Sequence, residues 1–396
     1  MNQEKAWADT PTPFFLSRKY THTGVRMKVS DIMEIMAELA PPRLAEDWDN
    51  TGLQFGGRRW QVSSIFVALE PTLAAVKKAC EAGADMLITH HPLIFKPLSS
   101  VDVDSPTGAI IDTAARNRLA IFAAHTNLDS AKGGINDVLC RELGISNLSA
   151  LCASPGAEQY KVVVFVPEDY AGAVIEAICS SPAGRIGNYT CCTFRSPGAG
   201  TFMPGEGADP WDGKVGELSE AKEFRLETVV EKPGLRQAIE QIRAAHPYET
   251  MAYDVFPLVQ EQTGEGLGRI GDVDPPRELA GLAREIKEKL ALSSVRFSGP
   301  ADLKIEKAAV CSGAGGGVLG QFLATDAQVL ISGDLRYHDA INTCENNRAI
   351  IDIGHFASER LIVPVIRQRL QDALERAGED VRVTVMQDEA DPFVCI

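Results

Sequence analysis

Short apolar runs recur along this chain with helix-length segments between them: Ser64–Leu69, Asp85–Thr89, Leu119–Ala124, Gln328–Ser332 and Ala349–Ile353. Runs of roughly four to eight apolar residues closed by turn signals read as buried strands. The segments between them read as helices: Asp31–Leu39, capped by Ser30 and stopped by Pro41-Pro42, then Leu73–Ala82, Gly108–Asn117 and Leu279–Leu290. A last helix, Phe356–Ala377, is long, amphipathic and kinked at Pro364. Strands alternating with helices restrict the chain to an α/β fold, here a three-layer domain assembled from two similar halves.

The strand ends carry the chemistry. The runs close on His90-His91-Pro92, on His125-Thr126-Asn127-Leu128-Asp129, on Gly333-Asp334 with His338 four residues on, and on Gly354-His355 with Glu359. Five of the chain's 7 histidines lie in these motifs. In open α/β sheets the ligand crevice lies outside the carboxyl ends of the strands, so the fold itself gathers such residues. His355 and Glu359 fall on one helix face near its first turn, as a metal clamp, an acid/base pair, or a surface His beside a first-turn Glu. Imidazole with carboxylate suits Zn, Mn or Fe, and no CxxC pair points to a closed structural zinc site. Successive side chains of a strand point oppositely, so His90 and His91 each suit a different ion. A bridging carboxylate would complete a two-metal site, its ions roughly 3.5–4 Å apart around a shared water. The Glu46–Gly56 loop, with Asp49 and Asn50, reads as a surface connection rather than a site wall.

Charge narrows the partners. A net charge of −15 and a pI near 5.0 oppose contact with nucleic-acid phosphates and anionic membranes. No run approaches the roughly 18–20 apolar residues of a membrane span, so no membrane contact is expected. The 9 cysteines are scattered and form no framework, so reduced thiols in a cytoplasmic protein are expected, Cys191-Cys192 included. At 396 residues the chain needs two or three domains.

Texture changes near residue 150. Tyr160–Val166 reads as a strand, Tyr170–Ser180 as a helix, Phe224–Val230 as a strand, Gly234–Ala245 as a helix and Tyr253–Leu258 as a strand. With a further strand in the irregular Gly187–Phe194 region, this is the order of a ferredoxin-like α+β unit. The boundaries follow: an extension over 1–26, a first α/β half over 27–151, the insert over 152–262, a second half over 263–380 and a tail over 381–396. Within the insert, His246-Pro247-Tyr248-Glu249 is either a ligand site or a proline-stopped helix end. Gly313-Ala314-Gly315-Gly316-Gly317-Val318 lacks the third glycine of a dinucleotide fingerprint and reads as a tight-packing turn rather than a phosphate loop.

Taken together, His90-His91-Pro92, His125 to Asp129, Gly333-Asp334 with Tyr337-His338-Asp339, Gly354 to Glu359 and the upstream Asp47-Trp48-Asp49-Asn50-Thr51-Gly52-Leu53 resemble the dinuclear-metal toroid family of GTP cyclohydrolase 1 type 2 homologues, the Nif-three-like proteins. The likeness spans about residues 27–150 and 265–375, and the insert resembles the PII/CutA-like domain of long members. The resemblance implies a homohexameric ring with two divalent metal ions per subunit. Its ligands fall on His90, His91, Asp129, His355 and Glu359, Glu359 bridging, with His125 and His338 as neighbours for proton transfer or ligand support. It implies a metal-dependent hydrolase of a nucleotide or other phosphorylated small molecule. The alternative is a ring that senses a metabolite through its PII-like domain and binds a protein partner without catalysis.

Overall fold

The computed structural model describes residues 27–154, 158–187, 189–259 and 264–394, so the extension expected over 1–26 lies outside the described residues. Two compact units result, one within Pro155–Glu261 and the other from the flanking segments.

The larger unit holds two sheets. Edge to edge, the first runs Gly52–Phe55, Ala120–Ala123, Met86–Thr89, Ser64–Ala68 and Arg382–Val385. All its pairs are parallel except the one made by Gly52–Phe55. Its central strands are buried at every position because helices cover both faces. Ile65, Val67, Met86 and Ile88 pack with the helices Val29–Leu39 and Ile362–Ala377. Phe66, Leu87 and Ile121 pack on the opposite face with Leu73–Glu81 and Pro106–Arg116. That double burial is why these segments read as unbroken apolar runs rather than as alternation.

The second sheet runs Arg296–Ser298, Ala349–Asp352, Val329–Gly333, Lys304–Ala314, Gly266–Glu278 and Ser146–Ala153. Its core pairs are parallel, with Ala308 beside Val329 and Val329 beside Ala349. Alternate residues again divide between two cores, Val310, Ile331 and Ile351 in one and Ala309, Leu330 and Ile350 in the other. The sheets exchange strands: Ser146–Ala153 belongs to the second, whereas Arg382–Val385 pairs with Ser64–Val67 in the first. Within the segment expected as a tail, Arg382–Val385 is therefore a sheet strand. Glu389 beyond it accepts from the Leu69 and Glu70 N–H groups at 2.9 and 3.0 Å.

Two helix expectations need correction. The first helix starts at Val29, and its end is closed by the Asp31 carboxylate accepting from the Lys28 N–H at 2.8 Å, not by Ser30. The expected Phe356–Ala377 helix is two helices, His355–Glu359 and Ile362–Ala377. Proline lacks an N–H, and the break places Pro364 in the first turn of the second helix, where none is required.

The smaller unit follows the order strand, helix, strand, strand, helix, strand, in an antiparallel sheet of Thr193–Phe202, Ser219–Glu231, Gln159–Pro167 and Tyr253–Pro257. The second strand begins at the end of the Gly187–Phe194 region, at Thr193, and runs on to Phe202. Pro197, Gly198 and Gly200 mask it, residues tolerated because it forms the sheet edge. Cys179 and Cys191 form a disulfide, their Cα atoms 4.6 Å apart, which corrects the expectation of fully reduced thiols. The fold brings the end of the helix Ala171–Ser180 against the entry to the edge strand, a proximity that sequence spacing does not reveal. Cys80, Cys140, Cys152, Cys192, Cys311 and Cys344 are free. Among the described residues no helix is long and apolar enough to cross a membrane.

Candidate metal centre

The strand Met86–Thr89 ends by turning sharply, Thr89 Oγ1 donating to the His91 carbonyl at 2.7 Å. His90 is thereby driven into the core, and its Nδ1 lies 2.9 Å from the Ala124 carbonyl. A carbonyl only accepts, so Nδ1 carries the proton and Nε2 presents a bare lone pair. That Nε2 is buried without a hydrogen bond, 3.5 Å from Glu359 Oε1 and 3.7 Å from Asp129 Oδ1. Three acceptors facing one another call for a cation.

The other histidines repeat the pattern. His91 Nδ1 lies 2.7 Å from Glu70 Oε1, His355 Nδ1 2.8 Å from Asp334 Oδ2, and His125 Nδ1 2.8 Å from Asp49 Oδ1. In the neutral rings, protons on these Nδ1 atoms leave the Nε2 atoms of His91 and His355 bare, and the two lie 3.3 Å apart. Both lie 3.1 Å from Glu359 Oε2, a buried oxygen that finds no donor while those two nitrogens are bare. An imidazole anchored through its far nitrogen to a carboxylate or carbonyl is how proteins orient metal-binding histidines. The ligand atoms of His91, His355 and Glu359 lie within 4.8 Å of one another, as do those of His90, His91 and His125.

Backbone placement explains the convergence. Glu359 closes the helix His355–Glu359, which leaves the strand Ala349–Asp352 through Gly354 at φ +83°. Asp129 sits in the helix Thr126–Ser130, its Oδ1 3.3 Å from the Ser312 hydroxyl and its carbonyl accepting from Asn136 Nδ2 at 3.0 Å. Gly313 has φ +64°, and a Cβ there would lie 2.4 Å from Glu359 Oε1. The glycine-rich turn thus packs against the carboxylate, as the sequence reading favoured.

The ionisation states report the same crowding. Burial raises the Asp129 carboxyl, and the charge of Glu359 adds to it against the pull of His90. Burial also opposes the charge on Glu359, yet His90, His355 and His91 hold it well below the usual carboxylate range. His91 is pushed up to about 10: burial opposes its charge, and bonds to Glu359 and Glu70 outweigh burial. The bond to Glu359 raises His355 to about 9. Protons thus gather where a divalent ion would satisfy the same atoms, and neutral imidazoles with carboxylates form a donor set that fits one.

The structure brings together His90, His91, His125, Asp129, His355 and Glu359. It does not bring in His338, which is exposed on the helix Tyr337–Glu345 with its ring edge against Tyr337, 5.3 Å between centroids. Asp334 turns to His355 instead. The Glu46–Gly56 loop is no mere connection, because Asp49 accepts from His125, from the Thr126 N–H at 3.0 Å and from the Thr126 hydroxyl at 2.5 Å. Burial works against its charge, but these bonds hold Asp49 at about 2. Glu70, Ser312 and Asn136 escaped the sequence reading. Glu70 was findable, since it directly follows the Ser64–Leu69 run and so is also a polar residue at a strand end. His246 is taken up structurally, its Nε2 2.8 Å from the Phe165 carbonyl and its Nδ1 accepting from the Tyr248 N–H at 3.1 Å.

The profile of the Duf34/NIF3 (NGG1p interacting factor 3) family matches residues 27–392. The GTP cyclohydrolase 1 type 2 homolog of Halalkalibacterium halodurans is 35% identical over 373 residues, 93% of this chain and 100% of that protein. The protein of the same description from Bacillus subtilis is 34% identical over 362 residues, 91% and 97%. The crystal structure of a Bacillus cereus protein related to NIF3 superposes with a TM-score of 0.74 at 36% identity, covering 94% of this chain and 100% of that one. On the matched profile, the relatives and the shared fold, the chain belongs to the Duf34/NIF3 family.

Proposed function

We propose that the chain is a metal-dependent hydrolase of a nucleotide or another phosphorylated small molecule. The observation that carries this reading is the set of imidazoles anchored through Nδ1, with Nε2 lone pairs converging on Glu359 and Asp129. His90, His91, Asp129, His355 and Glu359 would hold two divalent ions, Zn, Mn or Fe, with Glu359 between them. When bound, such ions supply a water acidic enough to attack at neutral pH. Glu70 and Asp334 keep the protons of His91 and His355 on Nδ1, away from the ligand side. His125, fixed by Asp49, stands at the edge of the cluster, where it can complete a ligand set or carry a proton. The name shared by the relatives, GTP cyclohydrolase 1 type 2 homolog, supports a nucleotide as substrate. The assembly belonging to this reading is a homohexameric ring, and a solution mass near six chains is its expected signature. Glu359→Gln should keep the fold while losing metal and turnover in a screen of nucleoside triphosphates and phosphoesters. An active, metal-free variant contradicts the proposal.

A second reading draws on the smaller unit, whose strand order supports a PII/CutA-like domain. A hollow of about 400 Å³ opens there beside Gln159, Arg185, Glu231 and Gln237. In this reading the protein senses a metabolite through that unit and passes the signal to a partner. Arg185→Ala with Gln237→Ala should then weaken metabolite binding while metal content stays constant; unchanged binding contradicts it.

A further inference from the structure

Beside the cluster stands an aromatic pair that the metal chemistry does not use. Trp48 is 59% exposed and Phe95 49%, with ring centroids 5.8 Å apart and planes tilted by 57°. Trp48 also meets the His125 ring edge-on at 6.2 Å, and His125 lies 5.3 Å from both His90 and His91. Large rings left in water beside a polar cluster are a costly arrangement without an occupant.

The pair is held firmly despite its exposure. Trp48 is followed by Asp49, which is tied to His125 and to the Thr126 backbone. The next residue, Asn50, donates from Nδ2 to the Ile94 carbonyl at 2.5 Å, and the Ile94 N–H donates to Gln54 Oε1 at 3.1 Å. Gln54 Nε2 donates back to the Asn50 carbonyl at 2.8 Å. The loops carrying Trp48 and Phe95 are therefore clamped to each other and, through Asp49, to the histidine cluster. Preformed aromatic surfaces of this kind bind flat π-systems, because stacking on a fixed ring costs little side-chain entropy.

We propose that Trp48 and Phe95 form the stacking platform for the planar heteroaromatic ring of the substrate, the base of a nucleotide. This rests on the nucleotide reading of the same site and supplies its specificity element. A base lying on Trp48 sits next to His125, so the groups it carries point toward the ligand cluster. A sugar phosphate without a base gains nothing from the platform.

The test is equilibrium dialysis of guanosine monophosphate and of ribose 5-phosphate against the full-length, metal-loaded protein. The wild type should bind the nucleotide about tenfold or more tightly than the sugar phosphate, the scale of one base–aromatic stack. Trp48→Ala should abolish that preference and Phe95→Ala reduce it, whereas Trp48→Phe should retain most of it, with metal content unchanged in every variant. Equal binding of both probes by the wild type overturns the proposal, as does a preference that survives Trp48→Ala. A Trp48→Ala protein with altered solution mass and unaltered nucleotide preference also overturns it, by assigning the rings to a contact between copies. Because the readout is binding, nucleotide capture through Trp48 without hydrolysis contradicts the hydrolase reading alone.

Discussion

Gly313 shows how narrowly the centre is specified at single residues. Its φ of +64° and its approach to Glu359 leave no room for a side chain. Gly313→Ala should cost about 1–3 kcal/mol through backbone strain. It should also displace the Glu359 carboxylate, so metal affinity falls more than stability does. Calorimetry of metal binding beside thermal unfolding checks this, and unimpaired affinity contradicts it. The histidines give a pH prediction. In the metal-free protein the His91 and His355 pKa values are raised from 6.5 to about 10 and about 9. Their charged forms therefore contribute stability that is fully present below pH 6.5 and is lost as pH rises through about 9 to 10. Metal must displace those protons, so uptake near neutral pH should release roughly two per chain, and affinity should climb with pH. Titration in buffers of different ionisation enthalpy reads the proton count; proton-neutral uptake contradicts the assignment. The His/His, His/Asp and His/Glu spacings were legible because each pair lies within one turn of chain. Asp49 was not read as part of the site, because its bond to His125 spans 76 residues and leaves no trace in local spacing.

At the scale of elements, Arg269 ties a strand of the second sheet to the helix Ile135–Leu143. It is buried in the strand Gly266–Glu278, with Nε 2.5 Å from Asp137 Oδ1 and further bonds to the carbonyls of Gly266, Gly268 and Ala131. Arg269→Met would strand the Asp137 carboxylate and those carbonyls, so a loss of about 3–5 kcal/mol is expected in denaturant unfolding. A loss below about 1 kcal/mol would show that the network does not hold the strand. Strands buried on both faces announced themselves as apolar runs. Thr193–Phe202 and Arg382–Val385 did not: the first carries a proline and glycines, and the second is four residues that alternate with Arg382 and Thr384. Edge position explains both, since an outer strand buries less and tolerates more.

Across the larger unit, the centre lies where the carboxyl ends of two sheets meet. Thr89 and Ala123 close strands of the first sheet ahead of His90, His91 and His125; Gly333 and Asp352 close strands of the second ahead of Asp334 and His355. The exchange of Ser146–Ala153 and Arg382–Val385 between sheets interlocks the two halves around that line. The strand-end rule thus located the histidine–carboxylate cluster from sequence, His338 apart, whereas the exchange depends on pairings between residues more than 100 positions apart for Ser146–Ala153 and more than 300 for Arg382–Val385, which no local pattern encodes. The most direct test of the account is elemental analysis of the purified, untagged protein against its Glu359→Gln variant. About two divalent metal atoms per wild-type chain and a large loss in the variant are expected, with both proteins folded. A wild-type protein without metal, or a variant that keeps a full complement, would mean that these histidines and carboxylates serve the fold and not a metal centre.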